Sequence, residues 1–167
     1  MHARALHNRK LGKVVVVRML DNGDTDAVAA LFERLGPESR ERRFHAGKPR
    51  LTSPELDALA RVDGDHHVLV AYVDGDERPA AMARIVRNAR DRTDGEIAFE
   101  VADRYQGYGI GTELLRLLLT DARAAGIVSV GAFVQTSNRA ALGLLRRVLR
   151  APMFRVEGAE TVVAAGV

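Results

Sequence analysis

The chain has 167 residues, 47% of them hydrophobic and 28% charged, the size and mix of one soluble domain with a proper core. It holds no cysteine, which excludes disulfides, thiolate catalysis and cysteine-ligated zinc. The net charge of +3 is too modest to argue for nucleic acid. No apolar run approaches the length of a membrane span, and the basic opening lacks the apolar stretch of a signal peptide, so a cytoplasmic protein is the simplest reading.

Residues 1–13 read as a flexible leader and residues 14–167 as a single domain without repeats or linkers. Val14 to Met19 is the first strand expected. Thr25 to Leu35 places Ala27, Val28, Leu31, Phe32 and Leu35 on one helical face, and Gly36-Pro37 stops it. Glu38 to Phe44 reads as a short second helix with a charged outer face. Ser53 is expected to cap a helix running from Pro54 to about Ala60. His67 to Val73 and Pro79 to Val86 form a hairpin around Asp74-Gly75-Asp76-Glu77. Glu96 to Val101 alternates as a strand. Thr112 to Ala125 reads as a helix with Leu114, Leu115, Leu118, Ala122 and Ala125 inward, closed by Gly126. Val128 to Gln135 is a strand expected to break at Gly131. Asn138 or Ser137 caps a last helix to about Leu149, and two closing strands follow. The order predicts an α/β fold with a mixed sheet.

The chemistry concentrates at Gln106-Gly107-Tyr108-Gly109-Ile110-Gly111-Thr112, between a strand and a helix. Alternate glycines let a backbone approach a ligand and take positive φ. Free amides at a helix start, aided by the helix dipole, hold phosphate oxygens, and Thr112 adds a hydroxyl. A purely structural turn is the bland alternative. A Walker loop is excluded because Thr112-Glu113 follows where Lys-Ser/Thr is needed. A dinucleotide fold would place this loop after the first strand, not after several.

Gln106-x-x-Gly109-x-Gly111 resembles the Q/R-x-x-G-x-G/A element of the GCN5-related N-acetyltransferase (GNAT) superfamily, as does the order of elements over residues 14–164. The runs Phe32 to Arg40, Leu51 to Leu59 and Glu96 to Gly107 are similar to the Pat-like group of bacterial protein lysine acetyltransferases. The resemblance implies a GNAT fold: a central mixed, mostly antiparallel twisted sheet with helices on both faces. It implies acetyl-CoA as cofactor, with its pyrophosphate on the amides of Gly107 to Thr112 (Gly107, Tyr108, Gly109, Ile110, Gly111, Thr112) and Gln106 in the motif. Main-chain groups of Phe99 and Val101 would pair with the pantetheine arm, Val101 would offer an amide to the developing oxyanion, and Asn138 would contact the cofactor.

Glu96 matches the glutamate proposed as general base in Pat-like enzymes, acting directly or through a water. Glu100 is the second catalytic candidate, as a carboxylate for the incoming ammonium. It lies on the same strand face roughly 13 Å away, too far to share a proton directly. The family's helix tyrosine, an acid toward the CoA sulfur, is matched by Leu145, and Leu149-Arg150 stands where a Gly-Phe pair is usual. The partner expected is an amine acceptor, a protein lysine or a small molecule. A non-catalytic acyl-CoA-binding module is the alternative from another class. A homodimer is left open. Neither nucleic acid, membrane nor metal is expected; His66-His67 and His45 read as structural, and the basic run Arg40 to Arg50 as facing CoA phosphates, an acidic protein target or solvent.

Overall fold

The computed structural model describes residues 3–167. Its eight strands form one sheet in the order β1-β2-β3-β4-β5-β6-β8-β7: β1 Arg4–Asn8, β2 Lys13–Met19, β3 His66–Val73, β4 Ala81–Arg87, β5 Asp94–Val101, β6 Ser129–Gln135, β7 Arg150–Glu157 and β8 Glu160–Gly166. All neighbours are antiparallel except β5 and β6. The five helices are α1 Thr25–Phe32, α2 Pro37–Phe44, α3 Ser53–Leu59, α4 Ile110–Ala124 and α5 Arg139–Val148. This is the mixed, mostly antiparallel sheet that the resemblance implied.

β3 sits inside the sheet and buries both faces, which is why Val68 to Ala71 is an unbroken apolar run. α4 buries Ile110, Leu114, Leu115, Leu118, Leu119 and Ala122, a stripe of helical period. Leu119 completes that stripe, whereas Ala125 is exposed, because the helix ends at Ala124 before the chain turns. β6 runs through Gly131 without a break, since Gly131 is paired with both Glu96 and Ala164.

Two further expectations are corrected. Arg4–Asn8 forms an edge strand paired residue by residue with β2, not a loose leader. Its Arg4 guanidinium is also anchored on Asp121 of α4 at 2.7 Å. Met1 and His2, part of the same expectation, lie outside the described residues. The N-cap of α3 is Thr52, not Ser53: Thr52 and Glu55 form a reciprocal capping box. Lys48 and the Thr52 groups pull the Glu55 carboxyl down to about 2, so this cap is intact above the ordinary carboxylate range and is lost as pH falls toward 2. The last helix leaves directly into β7 through Ala151, whose φ of 43° is left-handed, and the β7–β8 register shifts there. That conformation suits glycine. Ala151→Gly is expected to stabilise the protein by up to about 1 kcal/mol, read as a higher midpoint in urea denaturation.

Candidate active site

β5 and β6 run parallel and are paired only from Asp94–Ser129 to Glu96–Gly131. Beyond that point they splay, and the facing edges of both strands have no strand partner. A cavity of about 370 Å³ occupies the gap, lined by Ile97 to Val101 of β5 and Ala132 to Val134 of β6. α5 closes one side through Asn138, Leu144 and Arg147, and α2 the other through Ser39, Arg42 and Arg43.

The direction of the main chain along β5 follows from its flanking bonds. Ala102 N–H donates to Ala80 O at 2.8 Å, and Asp94 O accepts from Asn88 N–H at 2.9 Å, both on the β4 side. The β4–β5 register is continuous between them. Alternation along an antiparallel strand then turns the peptide groups of Ile97, Phe99 and Val101 into the gap. Side chains alternate the other way: Glu96, Ala98 and Glu100 share one face of the sheet.

At the top of the gap the chain passes through a 3-10 turn, Asp103–Tyr105, and enters α4. Gly109 is the N-cap of α4 with φ of 85°, left-handed, so a side chain here would be strained. The first bond of the helix is Glu113 N–H to Gly109 O at 3.1 Å. The amides of Ile110, Gly111 and Thr112 are therefore left over at the helix start. Gly111 is needed for another reason: a Cβ there would sit 3.1 Å from Val101 Cγ2 and 3.2 Å from Leu144 Cδ1. Its small size lets α4, α5 and β5 converge.

Each residue named from the sequence has a definite place. Phe99, Val101, Gln106, Gly107, Gly109, Ile110, Gly111, Thr112 and Asn138 line the cavity. Tyr108 does not; it is exposed, and its carbonyl accepts from Asn8 Nδ2. Gln106 Nε2 lies 3.2 Å from Ser39 Oγ, 3.1 Å from Val101 O and 3.2 Å from Asp103 Oδ1. It ties α2 to the end of β5 and steadies the loop. Asn138, rather than Ser137, caps α5 by accepting from Ala141 N–H at 3.1 Å. That bond uses only its carbonyl oxygen, so its amino group remains for a ligand.

Glu96 is exposed at the last paired position before the splay and is not a lining residue. Glu100 lines the cavity, but its Oε2 accepts from Arg43 Nε at 2.5 Å, and the two side chains are only 11% and 17% exposed. Leu145 is wholly buried, so α5 brings no tyrosine hydroxyl at that position. The hydroxyl-bearing lining residues are Ser39, Thr112 and Tyr105. Tyr105 is a lining residue that sequence reasoning did not single out. Its hydroxyl donates to Asp76 Oδ2 at 2.6 Å, and Asp76 in turn holds Arg34. Burial, then the Asp76 carboxylate, raise the tyrosine's pKa above its ordinary value. The signal available was the Asp103-Arg104-Tyr105 triplet joining the strand to the glycine loop.

The basic run is largely spent within the fold. Arg40 donates to Pro49 O, Arg42 pairs with Glu38, His45 with Glu160 and Lys48 with Glu55. His66 and His67 are held by Asp63 and Asp121. Among the described residues no three metal-type ligands converge, and no helix is long and apolar enough to cross a membrane.

This geometry agrees with what the chain is similar to. The model of the acetyltransferase (GNAT) family matches residues 27–149. The chain belongs to the GNAT family. Over 140 residues it is 31% identical to the acetyltransferase Pat of Mycolicibacterium smegmatis, covering 83% of this chain and 42% of that one. Over 133 residues it is 30% identical to the acetyltransferase PA5475 of Pseudomonas aeruginosa, covering 77% and 70%. The GNAT domain of S. lividans PAT superposes with a TM-score of 0.88 at 23% identity, covering 99% and 97%. A cAMP-binding acyltransferase from Mycobacterium smegmatis superposes with a TM-score of 0.69 at 28% identity, covering 99% of this chain and 47% of that one. The GNAT chain thus spans less than half the length of two of these proteins.

Proposed function

We propose that this GNAT domain transfers an acetyl group from acetyl-CoA to a primary amine by direct attack within one bound complex. The observation that carries the reading is the splay of β5 from β6, filled by a cavity that opens onto the free amides at the start of α4. The donor set fits the cofactor. Leftover helix amides and a positive dipole suit a pyrophosphate. The inward peptide groups of Ile97, Phe99 and Val101 suit the amides of pantetheine, and the Asn138 amino group adds a donor.

When bound, acetyl-CoA supplies an acetyl group activated as a thioester, with a thiolate as an adequate leaving group. The protein's part is alignment and proton handling. The strand edge holds the thioester beside the amine, which is where much of the rate arises. The Val101 amide, aimed into the gap, is a donor for charge developing on the acetyl oxygen. Glu96 stands one step along the same face from the lining residue Ala98. It takes the ammonium proton directly or through one water. Glu100 is held by Arg43 and is not free for that task. A protein lysine is the acceptor we favour, on the strength of the likeness to Pat.

CoA-thiol release on addition of a lysine peptide, with one acetyl group gained by mass spectrometry, tests the activity. Acetyl-CoA binding without turnover on any amine would replace it with a binding module. The cradle has its own test. Gly109→Ala carries a left-handed strain of about 1–2 kcal/mol. Relief of that strain is expected to turn the loop amides away and raise the KM for acetyl-CoA by about tenfold. An unchanged KM, or CoA bound with its pyrophosphate away from Gly107–Thr112, would overturn the assignment.

A further inference from the structure

The α2 side of the cavity holds guanidinium N–H groups that the fold leaves unused. Arg43 pairs with Glu100, and Arg84 lies near enough to feel both of them. Arg43 engages it through Nε alone, and its two terminal amino groups make no hydrogen bond among the described residues. Arg84 is paired with Ala98 across β4 and β5, so it stands on the same sheet face as Glu96, Ala98 and Glu100. Its guanidinium donates to Ala58 O at 3.1 Å, while its Nε is buried with no partner. Burial first, and then the nearby charge of Arg43, push the Arg84 pKa down, against the pull of Glu100 and Glu96. Two partly buried guanidiniums with unused N–H groups therefore stand near Glu100, with Glu96 a further carboxylate acting on Arg84. The other lining arginine of α2, Arg42, is matched by Glu38.

We infer that the acceptor carries an anionic group close to its amine, and that Arg43, with Arg84 behind it, selects for it. A carboxylate fits this place well. The guanidinium fork of Arg43 is already oriented by Glu100 and by the Phe44 ring, 4.9 Å from its centre. A planar carboxylate takes two parallel N–H bonds from such a fork. An acceptor offering only further cations meets repulsion there, because Glu100 is already neutralised. The class is thus an amine with a nearby carboxylate: a lysine flanked by acidic residues, or a free amino acid. This rests on the acetyl-transfer reading above and narrows its substrate.

The test uses paired acceptors. One pair is two blocked pentapeptides with a central lysine, flanked by glutamates or by arginines. The other is 4-aminobutyrate and butylamine, which differ in the carboxylate. With acetyl-CoA saturating, the anionic member of at least one pair is expected to have a kcat/KM on the order of tenfold higher, mainly through KM. The pair that shows it tells a peptide from a free amino acid. Arg43→Gln is expected to bring the ratio to about unity or invert it, because it also frees Glu100. Glu100→Gln is expected to widen the ratio and keeps the test open if Arg43→Gln folds poorly; Arg43→Lys retains charge without the fork and restores the ratio only in part. Preference for the cationic or neutral member of both pairs, or a ratio indifferent to both variants, overturns the inference while leaving acetyl transfer intact. No CoA release with any amine defeats the transfer reading, and this assignment with it.

Discussion

Replacing Glu96 with glutamine is expected to lower kcat by about 10²–10⁴-fold, the range of a lost general base. The KM for acetyl-CoA is expected to stay within about twofold, as for a residue that acts on the proton and not on cofactor binding. The reasoning is positional. Glu96 is the last β5 residue paired with β6, and the cavity opens from the next residue onward. It shares its face with Ala98 and Glu100, and of the two glutamates only Glu100 is bound to an arginine. The substitution keeps size and shape on an exposed strand position, so the fold is expected to be unchanged by circular dichroism. An exposed glutamate with no chemical task contributes nothing to turnover. Unaltered turnover in the variant would therefore remove Glu96 from the mechanism. Retained activity at high pH, where the amine arrives already deprotonated, is the matching signature of a lost base.

Asp76→Ala is expected to destabilise the fold by about 3–5 kcal/mol, the loss seen when one partner of a buried ion pair is removed. Arg34 and Asp76 meet at 2.6 Å with side chains 9% and 16% exposed, and Tyr105 donates to the same carboxylate. Without Asp76 the guanidinium keeps two neutral carbonyl acceptors, Arg78 O and Pro79 O, and the Tyr105 ring, but no counter-charge within reach among the described residues. Arg34, chiefly, and Tyr105 hold the Asp76 carboxyl well below the usual carboxylate range, against the opposing effect of burial. A depressed folded pKa gives stability that is complete above the unfolded pKa of about 3.9 and is lost as pH falls below it. The unfolding free energy of the wild type should thus drop by up to about 1.4 kcal/mol per pH unit more steeply than that of the variant below pH 4. Urea denaturation at pH 3, 4 and 6 measures this, and parallel curves would remove Asp76 as the cause. The site should feel the change as well, because Tyr105 forms part of the cavity wall next to the glycine loop.

How far the chain could be read follows from where each signal lies. Local signals were legible. The apolar stripe of α4, a cap at Ser137 or Asn138 and the Gln106–Thr112 loop each span a few residues, and their physics acts within those residues. β1 was missed because an edge strand of five residues, half exposed, has almost no periodic signal. Thr52 was passed over for its neighbour because either hydroxyl can cap, and only the bond to Glu55 decides.

By itself, the sequence determined that the chain makes a strand, a glycine turn and an amphipathic helix, and its family resemblance pointed to Glu96 and Asn138, with Glu100 as the second carboxylate. Only the tertiary structure decided what those groups face. The early end of β5–β6 pairing opens the cavity and aims Phe99 and Val101 into it. The β4–β5 register puts Arg84 on the same face as Glu100, and the seating of α2 brings Arg43 onto a carboxylate 57 residues away. Charge pairing depends on distance in space, which chain order does not specify. The glycine loop and its helix start were therefore readable from their own residues, whereas the charged groups around the cavity had to wait for the fold.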